Sequence, residues 1–146
     1  MGSRVKRVPD FDWFNTGPMP GYLWVCLNEK GFKSLWQQEF SDAPCEDHWL
    51  PHKRGGCVWR IRHTSGVMHQ VMCLDGEWLL ESYNKKQHIQ IAGLIAHEAV
   101  HVWQNMEKEM SAEGDTGMEP FAWAVQYYVI NINLYTDEWC KQQRRR

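Results

Sequence analysis

Two histidines one helical turn apart, with a glutamate beside the first, constrain this 146-residue chain more than any other feature. His97-Glu98-Ala99-Val100-His101 lies in a stretch where Ile91, Leu94, Ile95, Val102 and Trp103 recur at helical spacing. At 3.6 residues per turn the two imidazoles share a face and can bind one tetrahedral zinc. Glu98 is rotated by about 100° from His97, where it reaches a metal-bound water without ligating the metal. Zinc lowers the pKa of such a water to near 7, and a carboxylate placed there takes the proton as the water attacks a carbonyl. The competing account is two ordinary helix histidines, with Glu98 making a surface pair.

A catalytic zinc needs a third protein ligand and one open position. No histidine follows His101 closely: the chain continues Val102-Trp103-Gln104-Asn105-Met106, which excludes the extended three-histidine motif. Four of the downstream carboxylates are candidates for that ligand. Glu107 and Glu109 share the helix of the histidines and stand roughly 9–12 Å past His101 along its axis, out of reach of the ion. Glu113 falls in a break over residues 111–117 that holds two Gly. Glu119 opens the next helical stretch, which brings it beside His97 and His101 if that helix folds back. Thr116 and Glu119 acting only as a capping box is the open alternative.

The runs His97-Glu98-Ala99-Val100-His101-Val102-Trp103-Gln104 and Gly117-Met118-Glu119-Pro120-Phe121-Ala122-Trp123-Ala124-Val125-Gln126 resemble small phage-encoded HExxH proteins of the gluzincin-like type. Such proteins are generally described as metallopeptidases. The resemblance is specific over residues 97–126 and only architectural before them. It implies a zincin-like core, one zinc held by His97, His101 and Glu119, Glu98 as general base, and a bacteriophage or prophage source. It implies no particular substrate. In gluzincins an Asp often stands four residues after the ligand Glu and orients a ligand His; here that position is Trp123, so the role passes to no assigned residue.

The length suits one α+β domain over residues 1–146. Residues 1–20 read as an extended leading segment with turns, 22–27 as a strand, and 30–40 as a short amphipathic helix. Residues 41–56 read as a loop. Residues 57–62 alternate as a strand with one wet face, and 67–74 run apolar as a strand covered on both faces. Asp75-Gly76 signals a hairpin into a further strand over 78–82, giving an antiparallel meander. Asn84, with Gln87 three residues on, reads as the N-cap of a helix to about residue 110. A second helix runs from Glu119-Pro120 to about residue 135, and residues 141–146 form a solvated basic tail. The expected architecture is an antiparallel sheet packed on the HExxH helix, with the following helix completing the metal site.

A formal net charge of -2 creates no field that draws the chain to nucleic acid or anionic lipid. No apolar run is long enough to span a membrane, and the basic N-terminus has no apolar run behind it, so it is not a signal peptide. Five scattered Cys without a CxxC pair point to reduced thiols in a cytoplasm, the bacterial host's if the source is a phage. Nine Trp fill a small core.

Other residues have plainer readings. His69, in the apolar strand, is satisfied by a local hydrogen bond. Gln126 is a rim residue, or else orients a ligand histidine. Ala122 lets the two helices approach. Tyr127 and Tyr128 pack in the core rather than steady an oxyanion. Cys45, His48 and His52 match no zinc signature, and Lys53-Arg54-Gly55-Gly56 is solvated. The expected activity is zinc-dependent hydrolysis of a peptide or protein substrate. From another class, the alternative is a binding protein on a zincin scaffold that keeps zinc for stability and acts on a host factor without proteolysis.

Overall fold

The computed structural model describes residues 6–16, 21–40, 55–110 and 118–146, without the side chains of 109, 110 and 118–121. Among the described residues, four strands, β1 (Phe11–Asn15), β2 (Tyr22–Cys26), β3 (Gly56–Arg62) and β4 (Met68–Leu74), form one sheet in the order β1-β2-β4-β3. Four helices accompany them there: α1 (Glu29–Glu39), α2 (Gly76–Asn84), α3 (His88–Met110) and α4 (Met118–Arg144). The class is α+β, but the sheet is mixed rather than antiparallel, because β2 and β4 pair in parallel. The outer pairs, β1 with β2 and β3 with β4, are antiparallel. Within the leading segment, residues 11–15 are paired as β1.

Both sheet faces are covered, which explains the unbroken apolar run of β4. Leu23, Val25, Met72 and Leu74 meet Ile95, Ala99, Val102 and Met106 of α3 and Tyr128, Ile132 and Tyr135 of α4 in one core cluster. Trp24, Cys26, Val71, Cys73 and Ile61 face Phe32, Leu35 and Trp36 of α1 in the other. Asn28 caps α1 by accepting from the Gly31 N–H at 2.7 Å.

Asp75-Gly76 makes no hairpin, and residues 78–82 are helix rather than strand. The Asp75 carboxylate accepts from the Glu77 and Trp78 N–H groups at 3.1 and 3.3 Å, so it is the N-cap of α2. Gly76 is required by contact: a Cβ there would run into the Leu27 carbonyl oxygen and meet the Trp139 ring at 2.9 Å. Gly76→Ala should therefore cost about 1–3 kcal/mol, although Gly→Ala in an open helix is favourable. Urea denaturation of the two proteins measures the sign.

Asn84 does not cap α3. It ends α2, and Lys86 then takes a left-handed φ of 59° before α3 begins at His88. Helix α4 runs nine residues beyond the expected end at 135. Its last turns include Lys141 and Arg144, so the tail is helical through 144, with Gln142 tying it to the leading segment through the Val8 N–H at 2.7 Å. The three terminal Arg are exposed. Among the described residues no helix is long and apolar enough to cross a membrane.

Candidate metal centre

Helix α3 packs against α4 and, of the strands, lies mostly along β3, an edge strand of the sheet. Two glycines permit the approach. A Cβ on Gly55, whose φ is +91°, would meet Leu94 at 2.9 Å, and one on Gly56 would meet the Glu98 Cγ at 3.0 Å. The start of β3 is thus pressed onto the turn that carries the HExxH motif. Gly55-Gly56 is thus not solvated loop but the close approach itself, which two successive Gly ahead of an alternating strand signal.

His97 and His101 are exposed, and their Nε2 atoms stand 3.2 Å apart with the rings nearly perpendicular. Two Zn–N bonds of about 2.0–2.1 Å at the tetrahedral angle place their nitrogens about 3.3–3.4 Å apart. The imidazole pair therefore already has the spacing that a shared ion demands. Gln104, one turn further, presents its Oε1 3.0 Å from the His101 Nδ1. An amide oxygen accepts, so Nδ1 carries the proton and Nε2 keeps its lone pair toward His97. The orienting role considered for Gln126 falls to Gln104; Gln126 is exposed. Gln104 sits three residues after His101 on the same helical face, a spacing that could have identified it. Gln104→Ala should weaken zinc binding by roughly tenfold, since such supporting partners carry about 10–100-fold in affinity. Competition against a chromogenic chelator measures it.

Glu98, beside this pair, is buried, with only 4% of its surface exposed. Burial raises its pKa, and positive charge on His97 and His101 opposes the rise. A carboxyl so placed binds a proton more readily than one in water, as a base that must receive one and pass it on requires.

The backbone of the first turn of α4, which carries Glu119, lies away from this pair. The Tyr128 hydroxyl meets the Met106 sulfur at 3.0 Å, while Thr136 and Cys140 share a groove with His88 and Ile91. Helix α4 is therefore antiparallel to α3. His101 precedes Met106 by five residues, about 7.5 Å of axis, and Glu119 precedes Tyr128 by nine, about 13.5 Å in the opposite direction. The first turn of α4 consequently lies roughly 20 Å along the helices from His101. Among the described residues no group of three His, Cys, Asp or Glu side chains is placed to hold a metal; the Glu119 side chain is not among them. Glu113, Cys45, His48, His52, Lys53 and Arg54 lie outside the described residues.

Tyr128 is core, as expected. Burial pushes its pKa up to about 12, so the phenol stays neutral and donates to Met106. Tyr127 is not core: it is 42% exposed, because one residue of offset turns it about 100° around the helix from Tyr128. Ala122 is exposed too and does not lie between the helices. His69 is satisfied locally, on the α1 side of the sheet. The Trp24 indole N–H donates to its Nδ1 at 3.0 Å, and its ring stacks on His63. Burial and the His63 charge lower its pKa, against the Glu39 carboxylate.

No family model matches the chain, and no curated protein or solved structure matches it either.

Proposed function

We propose that this protein is a metal-dependent peptidase, its ion held in part by His97 and His101 and its general base Glu98. The single observation that carries this reading is the pair of Nε2 atoms at 3.2 Å on the helix whose next residue after His97 is a buried carboxylate. Two imidazoles, that of His101 with its tautomer set by an amide, suit zinc among the divalent ions. When bound, zinc supplies Lewis-acid polarisation of a carbonyl and a water of lowered pKa. Glu98 accepts the proton of the attacking water and delivers it to the leaving amine. Edge strand β3, running beside the motif, offers main-chain groups to an extended peptide. On this reading the chain is a zincin-like, gluzincin-related protein of the phage-encoded kind, working in a bacterial cytoplasm.

The test is digestion of a proteome-derived peptide library by the zinc-loaded chain, with new termini read by mass spectrometry. New termini should appear and vanish with 1,10-phenanthroline. Their absence from zinc-replete, folded protein would refute the peptidase. A second reading is a binding protein on the same scaffold, and one observation favours it. Trp123, Tyr127, Ile130 and Leu134 form an exposed apolar stripe on α4, at spacings of four, three and four residues.

A further inference from the structure

Beyond the histidine pair, toward the C-terminal half of α3, lies a cleft of about 320 Å³. Its walls include Arg60 and Arg62 of β3, Gln70 of β4, and Asn105 and Met106 of α3. The strand register explains why these residues meet. Arg60 pairs with Gln70 and Arg62 with Met68, and alternation puts both arginines on the same sheet face as Val58, which packs toward α3. The direction of β3 follows from its contacts: Gly55 and Gly56 lie at Leu94 and Glu98, and Arg60 and Arg62 share the cleft with Asn105 and Met106. The strand thus leads from the HExxH motif straight to the cleft.

The floor is rigid. The Gln70 side-chain amide donates to the Val102 carbonyl at 3.0 Å, and its oxygen accepts from the Asn105 amide at 3.1 Å. The Arg62 guanidinium is itself positioned, donating to the Gly66 carbonyl at 2.8 Å across the β3–β4 turn. Among the described residues that line the cleft, two carry a guanidinium group and none is acidic. Such a pair matches the planar, two-oxygen geometry of a carboxylate better than any neutral group. Asn105 stands one turn past His101, about 6 Å along the axis, and an extended peptide advances about 3.3 Å per residue.

We infer that this cleft is a carboxylate subsite for the peptide substrate, with Arg60 and Arg62 as specificity-determining residues, filled within three residues of the bond that is cut. The inference rests on the peptidase reading, but its chemistry is testable without catalysis. The probes are acetyl-Ala-Glu-Ala-amide, its Gln counterpart as the amide, and the Gln peptide with a free C-terminus. Each is titrated calorimetrically into the full chain, with zinc and after chelation.

The Glu peptide should bind roughly five- to tenfold more tightly than the Gln amide at low salt. The preference should survive chelation and disappear in Arg60→Gln/Arg62→Gln, whose exposed side chains can change without unfolding the chain. The same preference shown instead by the free C-terminus would assign the subsite to the end of the substrate chain. Equal binding of all three peptides overturns the inference, and so does a preference that chelation removes, because the carboxylate would then be on the metal. Tighter, Arg-dependent binding of an oligothymidylate would also overturn it. If the peptide preference holds while the library is never cut, the peptidase reading fails and the carboxylate site stands.

Discussion

Glu98→Gln should lower peptide turnover by about two to four orders of magnitude while leaving metal content unchanged. The amide keeps the volume of the side chain but cannot take a proton from water at neutral pH. Folding should not suffer. Glu98 is 4% exposed and its pKa is raised by burial, so the ionised carboxylate is costly where it sits, and a neutral amide removes that cost. The expected profile is thus wild-type zinc stoichiometry, a melting temperature at or above wild type, and turnover near background. Metal analysis, a thermal melt and a rate on one library-derived peptide measure the three quantities. Retention of most of the turnover would remove Glu98 from the mechanism.

The parts of this fold that were legible in the sequence are those fixed by contacts near in sequence. Helix α1 follows from Phe32, Leu35, Trp36 and Phe40, all buried. The helix carrying the motif follows from its apolar stripe, and it ends at Met110 as expected. What the sequence concealed depended on distant partners. The β2–β4 pairing joins residues 23–26 to 70–73, and nothing local separates parallel from antiparallel there. Asp75-Gly76 is equally good chemistry for a hairpin turn and for a helix start. The Leu27 carbonyl and the Trp139 ring, both remote, accompany the helix by accepting only Gly at 76. At the site, the spacing of His97 and His101 was sufficient to predict their convergence. Gln104 was readable on the same face but carried no motif to mark it. The height of α4 was not readable, because it is set by Tyr128 against Met106 and not by the length of the intervening segment.

That height decides the last prediction. His97→Ala or His101→Ala should each weaken zinc binding by on the order of a hundredfold or more, since each removes one of a small number of ligands from a site whose total binding free energy is large. Thermal stabilisation by added zinc should shrink in parallel, because a ligand of the folded state stabilises it only in proportion to its occupancy. Glu119→Ala is the informative comparison. With Tyr128 bonded to Met106, the first turn of α4 is about 20 Å along the helices from His101, far beyond a Zn–O bond of about 2.0–2.2 Å. On that register Glu119→Ala should leave zinc affinity within roughly threefold of wild type, the size of effect a remote charge has through screened solvent. The capping-box role with Thr116 would then show as a loss of about 1 kcal/mol in stability alone. A hundredfold loss of affinity in Glu119→Ala would instead mean that α4 enters beside His97 and His101. Tyr128 could not then remain against Met106. Tyr128→Phe separates the two arrangements: it removes the bond to the Met106 sulfur, lowers stability where that bond exists, and changes nothing where it does not.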